Sequence, residues 1–249
     1  MNIGIIPARL DSKRFPKKIL EPLNGKPMIV HTLERSLMAK KLDRVILAID
    51  SKETKDALKG YGFEIVMTSK EHSSGTDRIA EVAQDIKDAN IIINIQGDEP
   101  LIDPKIIDLL VGKLENPNVE FATIISNNLT ADDILNPNVV KAFINEREEI
   151  IEFKRNVFDL EIGGGYRHIG LYGYTKEMLI KFTELDESPN EIAEKLEQLR
   201  AIDNNIKIDA VIESCNSISV DTKEDLEKIA RVINSNASKQ LPDGDYNDQ

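Results

Sequence analysis

The stretch NIGIIPARLDSKRFPKK, residues 2–18, decides the fold class because it joins a buried strand to a strongly basic loop. Residues 2–6 form a nearly continuous apolar run, which is typical of strands that are covered on both faces. Within ten positions the chain then carries five cationic side chains, Arg9, Lys13, Arg14, Lys17 and Lys18. The 249-residue chain has a formal net charge of -12, so this basic loop needs a local explanation.

Further apolar runs in the first half predict strands at RVILAI (44–49), FEIVM (63–67) and NIIINI (90–95). Amphipathic segments between and after these runs predict helices at 27–40, 51–60, 75–87 and 103–114. Ser51 and Asp103 are placed to act as N-caps. Strands that alternate with helices predict an α/β fold with a doubly wound, mostly parallel sheet.

The second half departs from this alternation. Strands are predicted at 121–126 and 139–145. The turn-rich segment from Glu148 to Tyr174 predicts an antiparallel insertion or a small lobe, at about 140–174. Helices at 175–184, 190–203 and 222–235 and a strand at 206–212 follow. We expect one domain over residues 1–235 and a disordered tail over 236–249, because the tail lacks apolar periodicity.

Composition limits the classes of partner and compartment. A sequence pI near 4.9 disfavours nucleic acids and anionic membranes as partners, because both attract basic surfaces. The single cysteine, Cys215, excludes an internal disulfide and suits a reducing compartment. The chain shows neither a long apolar run nor the pattern of a secretory leader, so we expect a cytoplasmic protein without membrane insertion.

The basic loop follows the first strand, and ligands of open α/β sheets bind at the carboxyl ends of strands. Arg9, Arg14 and Lys18 can bind a polyphosphate there, since arginine offers a planar fork and lysine a point charge. The alternative is a solvated basic loop. The position of the basic loop, directly after the first strand, favours the phosphate site over this alternative.

Two more polar segments follow predicted strands. In NIQGDEPLI (94–102), Asp98 is a candidate Mg²⁺ ligand, or else part of an ordinary turn. In EHSSGTDR (71–78), Ser74 and Gly75 are placed to bind a nucleotide, or else Ser74 only caps the next helix.

Other motifs have simple structural explanations. His168 in YRHIGLYGY (166–174) is expected to be a packed strand residue, and EIAEKLEQLR (191–200) a solvated helix with ion pairs. Asp221 is expected to cap the last helix in a capping box with Glu224. The phosphate-binding motif GxxxxGK[ST] is missing, and no GxGxxG follows the first strand, so a dinucleotide cofactor is not expected.

Eight motifs together resemble, in order and rough spacing, those of the CMP-Kdo synthetases (3-deoxy-manno-octulosonate cytidylyltransferases). The similarity covers about residues 3–232 and rests on PARLDSKRFPKK, NGKPMIVHTLER, MTSKEHSSGTDR, NIQGDEPLI, NPNVVK, YRHIGLYGY, LEQLR and VDTKEDLE.

This resemblance implies a Rossmann-like nucleotide-diphospho-sugar transferase fold, with a mostly parallel central sheet, a small β-rich dimerisation lobe and a homodimer. It implies that CTP activates a 3-deoxy-ulosonic acid, Kdo or a close relative, giving CMP-sugar acid and pyrophosphate for lipopolysaccharide or capsule biosynthesis. Mg²⁺ is the implied cofactor. A modified, amino-substituted or sialic-type acid stays open as the substrate, as does a nucleotide-binding regulator that has lost turnover.

Site roles follow from the same resemblance. Arg9, Arg14 and Lys18 would hold the CTP phosphates, with Ser12 in the same loop, and Ser74 and Gly75 would lie near the cytosine or ribose. Catalytic roles fall to Arg9, Arg14, Lys18 and Asp98. Asp98 would also bind Mg²⁺ together with Asp221. The residues implied for the sugar acid are Arg78, Gln96, Arg155, His168, Tyr172, Glu197 and Gln198.

The sequence departs from the family pattern at two places. The loop usually contains Pro-Gly-Lys-Pro, whereas Lys17 stands here in place of the glycine, which puts the loop geometry in doubt. A usual Phe-Ser-Arg run is replaced by Phe153-Lys154-Arg155, and the Ile-Pro-aromatic segment after it is absent. Lys154 is therefore expected either to meet a different substituent on the sugar acid or to point into solvent.

Overall fold

The computed structural model describes residues 1–12, 15–157 and 164–239. Its strands, in chain order, are β1 (Asn2–Ala8), β2 (Pro22–Leu23), β3 (Lys26–Pro27), β4 (Arg44–Ile49), β5 (Glu64–Met67), β6 (Ile91–Asn94), β7 (Phe121–Ser126), β8 (Lys141–Ile144), β9 (Ile150–Lys154), β10 (Tyr166–Thr175) and β11 (Asp209–Ile212). Its α-helices are α1 (Met28–Ser36), α2 (Lys52–Ala57), α3 (Gly75–Gln84), α4 (Pro104–Leu114), α5 (Ala131–Leu135), α6 (Lys176–Thr183), α7 (Pro189–Glu194), α8 (Leu199–Asp203) and α9 (Lys223–Lys239).

The central sheet has the strand order β11-β7-β10-β6-β1-β4-β5. Neighbours along this path pair in parallel, except that β10 runs antiparallel to both β6 and β7. The predicted mostly parallel α/β fold is thus confirmed. The strand at 166–175 is inserted in this sheet between β6 and β7 and runs antiparallel to both, as the insertion alternative predicted.

Strand β1 is the topological switch point, because it pairs with β4 on one side and with β6 on the other. The connections that leave such a pair of strands diverge to opposite sides of the sheet and open a crevice at the carboxyl edge. The basic loop follows β1, and the segment that contains Asp98 follows β6. Both predicted ligand-binding segments therefore lie at the switch point.

Helices cover both faces of the sheet. On β1, Ile6 and Ala8 join a buried cluster with residues of α1, α4 and α9, whereas Ile3 and Ile5 join a second cluster with residues of α3, α6 and α8. This alternation follows from the two-residue period of a strand. Burial on both faces is why the run reads as continuously apolar.

Three local predictions are wrong or incomplete. The helix predicted at 190–203 is two helices, because Lys195 takes a left-handed conformation (φ 54°) and ends α7. The chain folds back there, so that Glu191 and Arg200 form a buried pair (Oε1–Nη2 2.5 Å) rather than a solvated face. Helix α5 was not predicted, although a capping box of Thr130 and Asp133 begins it.

The chain ends differ from expectation as well. The last helix runs to Lys239, past the predicted end at 235, and residues 240–249 of the predicted tail lie outside the described residues. None of the helices in the described ranges combines the length and apolar character that crossing a membrane requires.

Candidate active site

A cavity of about 1070 Å³ opens at the carboxyl edge of β1 and β6. One group of lining residues comes from the ends of strands and the loops that follow them; we call it the strand-edge wall, formed by Arg9, Ser12, Lys18, Gln96, Asp98 and Asp221. A second group comes from the region around β8, β9 and the end of α7; we call it the clamp wall, formed by Pro137, Asn138, Val140, Arg155 and Lys195. The start of α3 supplies the remaining polar lining.

The charge of this cavity is opposite to that of the protein. Its described lining carries two carboxylates, those of Asp98 and Asp221, against five cationic side chains, those of Arg9, Lys18, Arg78, Arg155 and Lys195. The chain as a whole has a formal net charge of -12. A concave site with excess positive charge attracts anions even within an acidic protein.

Lys18 connects the two carboxylates that were predicted to bind a metal. Its ammonium lies 2.7 Å from the Asp98 carboxylate and 3.5 Å from that of Asp221. It also donates a hydrogen bond to the Val220 carbonyl (2.8 Å). Residues 18, 98 and 221 are far apart in the sequence but form one cluster here.

Backbone contacts bring Asp221 to this cluster. The Val220 amide donates to the carbonyl of Asp98 (2.9 Å), so the chain passes close to the end of β6 just before α9. The prediction that Asp221 caps α9 with Glu224 is wrong, because the capping pair is Thr222 and Asp225, with hydrogen bonds of 3.2 and 3.0 Å. The Asp221 carboxylate consequently extends toward Lys18.

Gly97 allows the close approach of β1 and the Asp98 segment. A Cβ atom at this position would lie 3.2 Å from the Pro7 carbonyl oxygen and 3.1 Å from a methyl group of Ile29. Both neighbours belong to the buried body of the protein, so a larger residue would push Asp98 away from the end of β1.

Lys17 in the basic loop has a left-handed backbone conformation. Lys17 has φ 58°, in the left-handed region that glycine adopts without steric cost. Its amide bonds the Leu10 carbonyl (3.2 Å), and its ammonium pairs with Glu53 (2.6 Å) at the surface. Lys17 therefore forms a left-handed turn immediately before Lys18, at the position where the family pattern has glycine. Arg14, which was predicted to bind phosphate, lies outside the described residues.

Arg78 is held rigidly at the cavity. It is buried, pairs with Asp50 (3.2 Å) and donates to Thr68 and to the Ser69 carbonyl. Burial lowers the pKa of its guanidinium, which the charge of Asp50 opposes. Asp50 also accepts a hydrogen bond from the amide of Leu10 (3.1 Å), so the pair fixes the start of the basic loop.

The start of α3 is placed for both of the roles that the sequence left open. Ser74 is the N-cap in a capping box with Asp77. Ser74 and Gly75 also line the cavity, and the free amides of a helix start suit an anionic or polar ligand. Capping and ligand binding are therefore compatible at this position.

Four residues predicted to surround the sugar acid are not among the lining that the described residues form. His168 contacts the rings of Phe153 and Tyr172, with centroids 4.9 and 5.4 Å apart. Burial lowers the pKa of His168 to about 3. Burial, followed by the charge of Glu197, raises the pKa of Tyr172.

Glu197 and Gln198 are the other two of these four residues. The Glu197 carboxylate accepts a hydrogen bond from the hydroxyl of Thr76 (2.6 Å), and its other oxygen has no hydrogen-bond partner among the described residues. Burial raises the pKa of this carboxyl group. Gln198, the next residue in the chain after Glu197, is buried. Neither side chain belongs to the described lining of the cavity in this conformation.

Asp98, and not its neighbour Glu99, faces the cavity. Glu99 is buried, and burial raises the pKa of its carboxyl group to about 7, with the charge of Asp98 also contributing. Of the two adjacent acids, Asp98 is therefore the one placed to bind a cation.

Sequence reasoning did not identify the clamp wall apart from Arg155. The Arg155 guanidinium donates to the carbonyls of Pro137 (3.2 Å), Glu194 (3.0 Å) and Lys195 (3.2 Å). The signal was present in the motif NPNVVK (136–141), to which no role was assigned. Lys154, the unusual residue before Arg155, pairs with Glu152 (2.9 Å) and does not belong to the described lining.

The carboxylates of Asp98 and Asp221 fit a hard divalent cation. Mg²⁺ is usually bound by one or two protein carboxylates, with the phosphates of the substrate and waters as the other ligands. Both side chains are partly exposed to the cavity and share one counter-cation, Lys18. Within the described ranges no group of three or more acidic, histidine or cysteine side chains forms a metal cage.

The geometry defines a class of protein: a doubly wound α/β protein with a cationic, carboxylate-bearing cleft at its switch point, suited to a nucleoside polyphosphate. A family profile described as "Cytidylyltransferase" matches residues 3–208. The chain is 42% identical over 246 residues to a 3-deoxy-manno-octulosonate cytidylyltransferase of Geobacter sulfurreducens, covering 92% of this chain and 98% of the relative. A relative of the same description from Nitratiruptor sp. is 42% identical over 236 residues, covering 90% and 97%.

Solved structures agree. A CMP:2-keto-3-deoxy-manno-octonic acid synthetase complexed with CTP superposes with a TM-score of 0.88 at 34% identity, covering 95% of this chain and all of that one. A 4-diphosphocytidyl-2C-methyl-D-erythritol synthase from Anaerococcus prevotii shares the fold with a TM-score of 0.62 at 14% identity, covering 94% of this chain and 98% of that one. The chain belongs to the cytidylyltransferase family, as its motifs predicted.

Proposed function

We propose that this protein transfers the CMP group of CTP to 3-deoxy-manno-octulosonate (Kdo), with release of pyrophosphate. The relatives that match over nearly their whole length are described as Kdo cytidylyltransferases. The observation that carries the proposal is the cluster of Lys18, Asp98 and Asp221 in a cavity of otherwise cationic lining. This arrangement combines a site for a polyphosphate with ligands for its counter-cation.

The strand-edge wall would bind the triphosphate. Arg9 is exposed at the cavity, and Lys18 is held at the base by two carboxylates and one carbonyl. Charge-assisted hydrogen bonds from both would neutralise the phosphate oxygens and stabilise the charge that develops on the departing pyrophosphate. The hydroxyl of the sugar acid would attack the α-phosphorus in line, with no protein nucleophile. Isolation of a covalent nucleotidyl-enzyme would refute this part of the proposal.

Asp98 and Asp221 would hold Mg²⁺. The ion would supply Lewis-acid stabilisation of the phosphate oxygens when it is bound with the nucleotide. Lys18 would then exchange its contacts with these carboxylates for contacts with phosphate oxygens, which carry a higher charge. The protein carboxylates thus orient the cation-bound triphosphate against Lys18.

Kdo would lie toward the clamp wall. Arg155 and Lys195 provide cationic side chains there, and the substrate has a carboxylate. Gln96 also lines the cavity, two residues before Asp98 in the sequence, and offers both a donor and an acceptor for sugar hydroxyls. Lys154 gives no reason to propose a sugar acid other than Kdo, because its ammonium pairs with Glu152.

The test is an assay of pyrophosphate release by the full-length protein with CTP, Mg²⁺ and a panel of sugar acids. The panel contains Kdo, an amino-substituted ulosonic acid and a sialic acid. The proposal predicts fastest release with Kdo and dependence on Mg²⁺. Preference for another acid would assign the same chemistry to that substrate, whereas CTP binding without release for any acid would favour a regulatory protein.

A homodimer and a cytoplasmic location belong to the same proposal. Ile151 on β9, a strand that in the described structure pairs only with β8, is 55% exposed, and Leu135 and Ile192 are also exposed. Ile151 lies on a strand at the edge of the sheet, whereas Leu135 and Ile192 lie on helices; an exposed apolar side chain at a sheet edge suits contact with a second copy of the chain. The free cysteine, Cys215, fits a reducing compartment. Light scattering in solution and cell fractionation test the two points.

A further inference from the structure

Lys141, at the start of β8, is completely buried (0% exposed) and does not line the cavity. Lysine is rarely buried so completely, because its ammonium must recover the hydrogen bonds that it loses with water. Here the ammonium donates to the carbonyls of Asn136 (2.9 Å), Val139 (2.8 Å) and Arg155 (2.7 Å). These contacts use all three donors of the ammonium.

The three carbonyls belong to the clamp wall or to its flanks. Asn136 and Val139 enclose Pro137 and Asn138, which line the cavity. A turn closes this segment, since the Val139 amide donates to the Asn136 carbonyl (3.1 Å). Lys141 therefore fixes both ends of a short lining segment by one side chain.

Arg155 interlocks with the same segment in the other direction. Its backbone carbonyl binds Lys141, while its guanidinium reaches the Pro137 carbonyl and the carbonyls of Glu194 and Lys195. Two cations thus join three stretches of chain, around 137, 155 and 195, through backbone contacts. An apolar residue at 141 would leave three converging carbonyls without donors.

We propose that Lys141 is a positioning residue for the sugar-acid substrate. It does not contact this substrate. It fixes the positions of Arg155 and of the 136–140 segment, which contribute to the wall of the cavity where the sugar acid would bind. This inference rests on the proposed function. A buried cation with a purely structural role would affect both substrates alike. The contacts of Lys141 instead converge on the clamp wall and include no residue of the strand-edge wall.

Steady-state kinetics with CTP and Kdo test this role in Lys141→Met, with Lys26→Met as the matched control. Lys26 forms a surface ion pair with Glu34 and does not belong to the described lining of the cavity. In K141M we expect the KM for Kdo to rise about tenfold or more, while the KM for CTP and the calorimetric affinity for CTP stay within about twofold. The control should change neither parameter.

A double-mutant cycle shows whether Lys141 acts through Arg155. If it does, K141M should raise the KM for Kdo much less in an Arg155→Met background than in the wild type. Should K141M fail to fold, K141Q keeps two N–H donors and should raise the KM for Kdo less than the loss of all three donors would.

Wild-type turnover is measured first, so that two failures stay distinct. No turnover with Kdo would overturn the proposed function, and the role of Lys141 with it. If the wild type turns over Kdo, three results would overturn the role of Lys141 alone. They are an unchanged KM for Kdo in the variants, equal losses toward both substrates, and additive effects in the cycle.

Discussion

The two walls of the cavity are built in different ways. The strand-edge wall consists of side chains at the ends of β1 and β6 and just before α9, and its central contact is the Lys18–Asp98–Asp221 cluster. At the clamp wall, the lining residue Arg155 and the buried Lys141 behind it donate hydrogen bonds to backbone carbonyls. The strand-edge wall therefore exposes paired charges to the cavity, whereas at the clamp wall the charges of Lys141 and Arg155 also hold the backbone in place. Substitutions in the first should impair nucleotide chemistry, and those in the second the binding of the acceptor.

The largest effect is expected for Asp98→Asn. The change removes a cation-binding carboxylate at the switch point, and we expect kcat to fall by at least about 100-fold while the melting temperature stays near that of the wild type. Pyrophosphate release and thermal denaturation measure the two quantities. Asp103→Asn is the control, because asparagine still caps α4. Near-normal turnover of D98N at saturating Mg²⁺ would remove Asp98 from the proposed metal site.

Lys18→Met should change two properties in opposite directions. Without the ammonium, kcat/KM for CTP should fall about 30-fold, because a charge-assisted contact with phosphate is lost. The affinity for Mn²⁺ in the absence of nucleotide should rise, because Asp98 and Asp221 lose their shared counter-cation. Electron paramagnetic resonance titration measures this affinity without turnover. Lys17→Met is the control, and an Mn²⁺ affinity unchanged by K18M would contradict the competition.

A smaller effect is expected at His168, which packs against Phe153 in the strand that leads to Arg155. Burial lowers the pKa of His168 to about 3 in the folded state, below its ordinary value of about 6.5. Its contribution to stability is therefore complete above pH 6.5 and is lost as the pH falls toward 3. Between pH 7 and pH 5 the wild type should lose about 2 kcal/mol more free energy of unfolding than His168→Gln. Urea denaturation at both pH values checks this, and equal losses would contradict it.

The smallest effect is expected for Lys17→Gly in the basic loop. Glycine relieves the left-handed backbone but gains freedom in the unfolded chain and loses the exposed pair with Glu53, so the free energy of unfolding should change by less than about 1 kcal/mol. Lys181→Gly inside α6 should lose about 1 kcal/mol in the same urea experiment, because its backbone is helical. Equal losses in both variants would show that the loop does not need this conformation.

The contrast between the walls also explains what the sequence could predict. Arg9, Lys18 and Asp98 follow strands, and topology alone brings the ends of β1 and β6 together. The approach of Asp221 was implied only by family resemblance, since its own sequence context suggested a helix cap. Local patterns cannot show that Thr222 and Asp225 form the cap instead, or that Val220 binds the Asp98 carbonyl.

The clamp wall was largely beyond sequence reasoning, because its contacts join side chains to backbone carbonyls that are distant in the chain. Nothing local in NPNVVK indicates that Lys141 is buried, and nothing in EIAEKLEQLR indicates that Lys195 breaks the helix. Amphipathic periodicity favoured one continuous helix, and the buried pair of Glu191 and Arg200 overrides it. Such residues acquire their roles only when the tertiary structure is complete.

A crystal structure of the protein with CTP and a Kdo analogue that lacks the attacking hydroxyl tests the division between the walls most directly. We expect the triphosphate within hydrogen-bond distance of Arg9 and Lys18, and the analogue against Arg155 and the 136–140 segment. A triphosphate bound to the clamp wall, or an analogue bound away from Arg155, would contradict the division.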